Sequence, residues 1–310
     1  MVKKIIKIRA ITSIHPGIGS GVGVIDMPVQ RERHTGFPII QGSSVKGSLK
    51  AIFPNDNNYK TEIFGPENEN TDENSYSQNT SKARTETRSP ENENADENAY
   101  SSAASFSDAR IFAYPIRSLK GVFAWVTCPE IIRRVNFELE KDFKVPEVKE
   151  QEIICGDTIT VNKNKVVLEE YDFNKTNGTI DTNLINFGKE FFSNENDKNS
   201  FASRFAIISD DDFAHFVRNA TEISTRIALE KDRKVTKDGA LFYEEFLPAE
   251  TLFYSLIVFQ NSNKNKNNTN TAETLANAFS LPYKIIQFGG DETIGKGFCE
   301  LQLEDLCQKL

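Results

Sequence analysis

Glycine alternates with other residues over Gly17-x-Gly19-x-Gly21-x-Gly23, close to the amino terminus. Because glycine has no Cβ, it adopts positive φ angles and lets the backbone approach a ligand closely. The alternation therefore predicts a loop shaped for contact with a ligand, and the stretch 15–50 around it is the part of the chain that most constrains function.

The charge of this chain is unevenly distributed. Residues 1–53 carry eight Lys/Arg and two Asp/Glu, a formal charge of +6, whereas the whole chain carries −8. Residues 66–107 alone contribute −6. A basic amino-terminal segment predicts an anionic partner, and the local origin of the acidity means that the total charge does not exclude nucleic acid.

The cysteines and the hydropathy pattern indicate the cellular setting. The four cysteines form no C-x-x-C pair, which favours reduced thiols in a cytosolic protein over disulfides or a zinc site. No apolar run approaches the roughly 20 residues of a membrane span, and the amino terminus lacks a signal-peptide core. We therefore expect a soluble cytoplasmic protein that does not bind membranes.

Hydrophobic periodicity predicts the secondary structure. Residues 3–14 alternate Ile with Lys or Arg, as in a strand with one buried face. Ser43 or Ser44 is expected to cap a helix through residue 53, in which Lys46 and Lys50 share one face. Further strands are expected at 106–115, 122–128, 204–209, 251–259, 283–288 and 298–303, helices at 129–143, 210–218 and 272–279, and a hairpin at 224–248 with Asp238-Gly239 near its tip.

Residues 66–77 (PENENTDENSYS) and 90–101 (PENENADENAYS) are near duplicates. Their polar composition cannot bury enough apolar surface to offset the ordering entropy, so 65–105 is predicted to be a disordered acidic insertion, with a functional repeat as the less favoured alternative. The order of the other elements predicts an α+β fold of ferredoxin type with an antiparallel sheet, from which the middle region protrudes.

Two glycine motifs resemble nucleotide sites without matching them. Gly290-x-x-x-x-Gly295-Lys296 has Gly297 where a P-loop has Ser or Thr, and a strand is predicted to follow, so a P-loop is excluded. The amino-terminal glycines do not fit G-x-G-x-x-G in any register. The segment 42–47 at the predicted helix start can be an anion site or an ordinary helix cap, and the spacing alone favours neither.

Asp26 is an acid inside an apolar run, and two interpretations remain open for it. The residues alone favour a structural salt bridge with Arg31 or Arg33 over a catalytic role. RNA cleavage nevertheless needs a group that deprotonates the 2′-hydroxyl or holds a divalent ion, and a carboxylate serves either purpose. A lone histidine such as His15 is more often a packing residue, Glu244-Glu245 is by default a solvated pair, and His34 and His215 have no metal-ligand spacing.

Three blocks together resemble one family: HPGIGSGVGVIDMPVQRERHTGFPIIQGSSVKGSLK, FSDARIFAYPIRSLKGVFAWVTCP, and the hairpin segment followed by the terminal glycine loop. The chain resembles the backbone subunit of type III-B CRISPR (Cmr) effector complexes, which act in antiviral defence, within the RAMP superfamily. The resemblance implies an RRM-like, modified ferredoxin-like palm at 1–144 and 249–310 and a thumb region at 145–248. It also implies partners: a guide CRISPR RNA, a target RNA, other Cmr subunits, and further copies of the chain stacked along the guide.

The resemblance also implies function and site residues. It implies an endoribonuclease that cleaves target RNA at regular intervals with a divalent cation, Mg²⁺ or Mn²⁺. It matches Asp26 to the catalytic acid, as base or metal ligand, and places His15 and one of Glu244 and Glu245 beside it. The implied RNA-binding residues are Gly17, Gly19, Arg31, Gln41, Ser43, Ser44, Lys46, Lys50, Gly295, Lys296 and Gly297. The alternatives are a non-catalytic RNA-binding scaffold of the same complex and, more distantly, a guide-processing ribonuclease of the same superfamily.

Overall fold

A computed structural model describes residues 1–21, 23–66, 100–162, 164–229, 236–264 and 270–306. The strands are β1 (Val2–Ala10), β2 (Ile39–Ile40), β3 (Ala104–Phe106), β4 (Ala109–Ser118), β5 (Val122–Thr127), β6 (Glu152–Cys155), β7 (Lys165–Leu168), β8 (Tyr171–Lys175), β9 (Phe205–Ile208), β10 (Glu222–Leu229), β11 (Thr236–Phe246), β12 (Leu252–Phe259), β13 (Ile285–Gln287) and β14 (Phe298–Leu306). The α-helices are α1 (Gly42–Ile52), α2 (Lys60–Phe64), α3 (Pro129–Leu139), α4 (Thr182–Lys189), α5 (Glu195–Arg204), α6 (Asp210–Asn219) and α7 (Ala272–Ala278). No helix of this described part is long and apolar enough to cross a membrane.

One large sheet dominates the fold, so the α+β prediction is confirmed. Its strands run in the order β13-β14-β1-β12-β4-β5-β9-β6-β8-β7, with β2 beside β4 and β3 beside β12. The four strands β14-β1-β12-β4 are antiparallel throughout, whereas β5–β9 and β6–β8 are parallel pairs. Strands from 145–208 thus continue the sheet, and the division of the chain into palm and thumb regions stays a prediction.

The first strand buries both of its faces, so the prediction of a single buried face was wrong. Ile5, Ile6 and Ile8 are fully buried, but Lys7 is only 1% exposed as well. Its ammonium pairs with Glu190 beyond α4 and with Glu304 on β14. The alternation of Ile with Lys shows which face of the strand is polar, but not whether that face is exposed. Here carboxylates from distant elements pair with the lysine, so the polar face is buried too.

The other cations of β1 are matched in the same way. Lys3 pairs with Glu140 and Lys4 with Asp305, at 2.7 and 2.6 Å. Arg9 contacts three acids: Asp197, Glu250 and Glu300. We call this set, Lys3, Lys4, Lys7 and Arg9 with their carboxylate partners, the charged stripe.

Helix ends differ from the prediction by a few residues. Helix α1 begins at Gly42, one or two residues before the predicted serine cap, and its Gly42 amide donates to Asp108 Oδ1 at 2.8 Å. Helix α3 starts with Pro129 as predicted but ends at Leu139, because Glu140 takes the left-handed conformation that commonly ends a helix.

The predicted hairpin is present as a separate two-stranded sheet of β10 and β11. Leu229 pairs with Thr236, and residues 230–235 between them lie outside the described part of the chain. Asp238 and Gly239, predicted near the tip, are the third and fourth residues of β11, close to this pair but within the strand.

The predicted insertion 65–105 falls largely on residues 67–99, which lie outside the described part of the chain. At its far end, Ala104–Phe106 pairs with β12 as strand β3, so regular structure resumes before residue 106.

Candidate functional site

The hairpin strand β11 joins two amino-terminal segments. Ile14 forms an antiparallel bridge with Leu247, and Met27 forms a parallel bridge with Glu244. The Met27 amide donates to the Tyr243 carbonyl, and the Glu245 amide donates to the Met27 carbonyl, both at 3.0 Å. The edge of β11 opposite β10 therefore holds the segments that carry His15 and Asp26.

Asp26 is exposed, and its backbone and side chain are both anchored. One carboxylate oxygen, Oδ2, accepts a hydrogen bond from the Tyr243 amide at 2.7 Å, while the Asp26 carbonyl accepts one from Gly21 at 2.7 Å. Among the described residues Asp26 forms no ion pair. The salt bridge to Arg31 or Arg33 that the sequence favoured is therefore absent, and the carboxylate remains open to solvent.

His15 is buried beside the first of the two glutamates. Its Nδ1 lies 2.6 Å from the Glu245 carbonyl oxygen, and since a carbonyl only accepts, Nδ1 carries the proton. Nε2 faces Glu244 Oε1 at 3.5 Å. The ring also packs against Phe246, with centroids 5.5 Å apart. His15 is thus oriented with a defined tautomer toward a carboxylate.

Glu244 is 4% exposed and has more than one charged neighbour. Its Oε2 accepts a hydrogen bond from Arg226 Nε at 3.0 Å, and the same guanidinium donates to Asp291 Oδ2 at 2.5 Å. Burial, followed by a hydrogen bond with Asp291, raises the pKa of Glu244, and the charges of His15 and Arg226 oppose this rise. Glu244 therefore binds a proton more tightly than an ordinary glutamate.

The side chain of Glu245, on the opposite face of β11, binds the amino-terminal loop. Its Oε1 accepts from Arg31 Nη2 at 2.6 Å and its Oε2 from the Val29 amide at 2.9 Å. Arg31 also donates to the carbonyls of Gly36 and Val217. Both carboxylate oxygens of Glu245 are thus occupied in holding the amino-terminal loop. We call the whole arrangement the hairpin seat, made of His15, Asp26, Arg31, Arg226, Glu244, Glu245 and Asp291.

A family model described as the RAMP superfamily matches residues 7–300. The chain belongs to the RAMP superfamily. Within it, the chain is 35% identical over 314 residues to the CRISPR system Cmr endoribonuclease Cmr4 of Pyrococcus furiosus, covering 97% of this chain and 96% of that protein. The chain is therefore a Cmr4 homologue. It is also 26% identical to the CMR subunit Cmr4 of Saccharolobus solfataricus, covering 95% and 94% of the two chains.

Solved structures agree with this membership. The crystal structure of oligomeric Cmr4 from Pyrococcus furiosus matches with a TM-score of 0.69 at 30% identity, covering 99% of this chain and all of that one. A chain of the type III-B Cmr-beta complex bound to cognate target RNA matches with a TM-score of 0.70 at 22% identity, covering 98% and 97%. The second likeness shows the shared fold alone.

In this RAMP chain the terminal glycine loop packs directly on His15. The Gly290 amide donates to the His15 carbonyl at 2.9 Å, and a Cβ on Gly289 would lie 2.3 Å from that oxygen. Gly17 approaches from the other side, since a Cβ there would lie 2.3 Å from His15 Nε2. The absence of a side chain at Gly17, a predicted RNA-binding residue, and at Gly289 thus lets the backbone pack closely on His15.

The remaining RNA-binding candidates differ in their solvent exposure. Gly19, Gln41 and Ser43 are exposed, whereas Ser44, Lys46 and Lys50 are half-buried on α1. In the terminal loop Gly295 and Gly297 have φ angles of +78° and +77°. The Lys296 ammonium lies 4.7 Å from the Phe246 ring centroid and 3.4 Å from Ser13 Oγ. These residues form two groups, one on α1 and one beside the hairpin seat.

Much of the amino-terminal positive charge is used inside the protein. Five of the eight amino-terminal bases pair with carboxylates, namely Lys3, Lys4, Lys7, Arg9 and Arg31. Lys46 and Lys50 form no ion pair within the described residues. The positive charge presented to a ligand is therefore smaller than the formal +6 and is centred on α1. There Asp108 already occupies the Gly42 amide, which weakens the helix start as an anion site.

A cavity of about 730 Å³ lies outside the hairpin seat. Its lining has four glutamates, Glu169, Glu170, Glu222 and Glu250, against one arginine, Arg117, which pairs with Glu169 at 2.8 Å. This lining repels phosphate, so the cavity is unsuited to RNA. The hairpin seat remains the candidate active site.

Arg226 and Asp291 are site residues that sequence reasoning missed. Ser224 pairs with Glu244 in the hairpin, which places Arg226 two residues away and within diagonal reach of Glu244. The sequence predicted the hairpin without a strand register, so it did not identify this cross-strand contact.

Proposed function

We propose that this chain is a backbone subunit of a type III-B CRISPR RNA-guided effector complex, in which it binds guide RNA and cleaves complementary target RNA in the cytoplasm. The 35% identical relative is named a Cmr endoribonuclease, and a structural relative belongs to a complex bound to cognate target RNA. The partners would be the guide RNA, the target RNA, other Cmr subunits, and further copies of this chain stacked along the guide.

The strand order supports a ferredoxin-like, RRM-like palm. The sequence of elements β1, α1, β4, β12, α7, β14 with the spatial order β14-β1-β12-β4 is that of a split βαβ fold. The hairpin of β10 and β11 forms its own sheet and exposes Ile223, Ile227 and Leu241. A hairpin that is separate from the main sheet and exposes apolar side chains suits the role of a thumb that contacts a guide–target duplex.

The observation that carries the catalytic assignment is the anchored but exposed carboxylate of Asp26. In target cleavage the 2′-oxygen would lose its proton and bond to the adjacent phosphorus, while the bond from phosphorus to the 5′-oxygen breaks and that oxygen takes up a proton. Asp26 is the one exposed carboxylate of the hairpin seat, so it is the acid that RNA can reach. Holding the reacting atoms in line supplies much of the rate.

Of the adjacent glutamates, Glu244 is the better active-site candidate. Glu244 faces His15, which places a proton-binding pair directly behind the Asp26 segment. Glu245 has both oxygens committed to Arg31 and the Val29 amide. We therefore assign Glu244 and His15 to proton handling and Glu245 to holding the loop.

A divalent cation, Mg²⁺ or Mn²⁺, would fit this site only in part. The described residues contain no group of three or more His, Cys, Asp or Glu side chains arranged to hold a metal. Asp26 supplies one carboxylate, and Mg²⁺ is often held by one or two carboxylates together with substrate phosphates and water. Asp26 would thus hold the ion jointly with RNA, and the ion would supply charge neutralisation at the phosphate.

Binding of the guide is assigned to two groups of residues. Lys46 and Lys50 with Gln41, Ser43 and Ser44 form one group on α1. Gly295, Lys296 and Gly297 with Gly17 and Gly19 form the other, where the positive φ angles turn the backbone sharply. Backbone donors and a few cations suit an RNA whose sequence is recognised by base pairing rather than by the protein. Arg31 is assigned a supporting role because its guanidinium is bound internally.

The test is cleavage of a guide-complementary RNA by the reconstituted complex, with wild type beside Asp26→Ala. We expect the single-turnover rate to fall about 10²- to 10⁴-fold with assembly and target binding unchanged, the range typical for loss of a general acid–base group. Asp56→Ala, at another exposed aspartate, is the matched control. Titrating Mg²⁺ in Asp26→Asn distinguishes a metal ligand from a base. Regularly spaced products that persist in Asp26→Ala would favour the non-catalytic scaffold.

A further inference from the structure

Arg226 is the only described cation that bridges the hairpin to the terminal glycine loop through side-chain ion pairs. It donates from Nε to Glu244 Oε2 at 3.0 Å and from Nη2 to Asp291 Oδ2 at 2.5 Å. The guanidinium carbon lies 5.8 Å from the Phe246 ring centroid. Arg226 therefore holds together two acids from different parts of the chain, with an aromatic ring fixing its position.

The two acids exceed the charge available to balance them. Glu244 and Asp291 together carry two negative charges when ionised, and Arg226 supplies one positive charge. A carboxylate that shares a site with a second acid loses its proton less readily. His15 Nε2 faces Glu244 Oε1 at 3.5 Å, so the imidazole lies beside this carboxylate. The cluster thus brings an imidazole and two carboxylates together around one guanidinium.

The backbone supports the same geometry. Asp291 is held in the left-handed region with φ of +63°, and its carbonyl accepts from the Lys296 amide at 3.2 Å. The neighbouring Gly290 amide donates to the His15 carbonyl. The terminal loop therefore fixes the Asp291 side chain and the His15 backbone together.

We propose that Arg226 and Asp291 are positioning residues that hold the Glu244–His15 pair in place and set how readily it exchanges a proton during RNA cleavage. The inference rests on the proposed ribonuclease function and adds two residues that the family resemblance did not point to. Because Arg226 belongs to β10, the position of the Glu244–His15 pair also depends on contact between the hairpin and the terminal glycine loop.

The charges that face Glu244 determine the sign of the expected effects. They are His15 on the amino-terminal loop, Arg226 on β10 and Asp291 on the terminal loop, whereas Asp26 bonds to the Tyr243 amide and Lys296 packs against the Phe246 ring. Removing the Arg226 cation raises the pKa of Glu244 further, because an opposite charge favours the ionised form. Removing the Asp291 carboxylate lowers it.

The experiment uses the reconstituted complex carrying Arg226→Gln, Arg226→Lys or Asp291→Asn, with Arg117→Gln as a control at an exposed arginine that pairs with Glu169 outside the seat. We measure single-turnover cleavage of a guide-complementary RNA from pH 5.5 to 9, together with target affinity. Arg226→Gln is expected to lower the rate at neutral pH about 10- to 100-fold with affinity unchanged within about twofold, the usual scale of a lost acid–base contribution. In the pH–rate profile of Arg226→Gln, the fall in rate on the acid side should move to higher pH. In Asp291→Asn it should move to lower pH. Arg226→Lys should recover part of the rate lost in Arg226→Gln.

A second readout does not depend on activity. The chain has three histidines, so the imidazole resonance of His15 can be assigned by substitution and followed by NMR during a pH titration of the isolated chain. Arg226→Gln and Asp291→Asn should move its midpoint in opposite directions, while His34 and His215 stay unchanged. Midpoints that stay fixed or move in the same direction would overturn the inference. If the Asp26→Ala complex cleaves target RNA at the wild-type rate, the proposed function is overturned. The NMR titration of His15 would still test the positioning roles of Arg226 and Asp291.

Discussion

The charged stripe and the hairpin seat are both dense charge clusters, but they are balanced differently. In the stripe each cation has at least one carboxylate partner, and Lys7 and Arg9 have two and three. In the seat Asp26 has a backbone donor but no described cation, and two acids share the Arg226 guanidinium. Acids also outnumber cations in the stripe, but carboxylates such as Glu190, Glu304 and Asp197 are partly exposed and can be hydrated, whereas the Glu244 carboxylate is buried. Buried acids with unusual proton affinity are typical of functional sites.

The same contrast divides two neighbouring residues within the seat. Glu245 is 3% exposed and fully occupied by Arg31 and the Val29 amide, like a residue of the stripe. Glu244 is equally buried but has a raised pKa and a histidine neighbour. Consecutive residues of a strand point to opposite faces, so two adjacent positions of β11 present one acid to the amino-terminal loop and the other to His15.

The largest expected effect on stability comes from Glu245→Ala. It leaves Arg31 without its carboxylate and the Val29 amide without an acceptor in a buried setting. We expect a loss of about 3–5 kcal/mol in the free energy of unfolding, the usual cost of breaking a buried ion pair. Urea denaturation of the isolated chain measures it. Glu244→Ala is the comparison and should cost less, about 1 kcal/mol, because Arg226 keeps Asp291 as its partner; equal losses for the two variants would remove the distinction between the glutamates.

A smaller loss is expected from Lys7→Ala in the charged stripe. The variant leaves Glu190 and Glu304 without their shared cation, but both carboxylates are partly exposed and can be hydrated. We expect the free energy of unfolding to fall by about 1–3 kcal/mol, while the assembled complex cleaves RNA at the wild-type rate. Lys7→Met, which keeps the packing against Phe187, should recover part of the stability. A selective loss of cleavage in Lys7→Ala would give the stripe a direct role in function.

The sequence predicted the elements of the outer sheet and the motif-bearing loop because these depend on local patterns. Period-2 alternation located β1, and the acids at 210–212, expected in a first helical turn, located α6. Strands β6, β7 and β8 and helices α4 and α5 were missed. They have short apolar runs, and their burial depends on distant partners such as the stacked rings of Phe112 and Phe191.

Five of the seven residues of the hairpin seat were named from the sequence, but their pairings were not. The motif resemblance pointed to Asp26, His15 and the glutamate pair, and the structure brings the segments carrying them to one edge of β11. The pairing of Arg31 with Glu245 rather than Asp26 joins residues 214 positions apart. Local patterns carry no information about such contacts, and the formal charge of a segment does not say which of its cations are neutralised.

The smallest expected effect on stability, and the sharpest contrast with the stripe, comes from Lys46→Ala and Lys50→Ala on α1. Neither lysine forms an ion pair with a described residue, so each variant should change the free energy of unfolding by no more than about 0.5 kcal/mol. If both ammonium groups contact phosphates of the guide, each substitution should reduce the slope of log affinity against log salt by about 0.7, the value for one contact to a single strand. Filter binding of guide RNA between 50 and 300 mM salt measures the slope, with Lys3→Ala in the stripe as the control. Unchanged slopes in the α1 variants, or an equal change in Lys3→Ala, would mean that pairing inside the fold does not decide which cations the RNA uses.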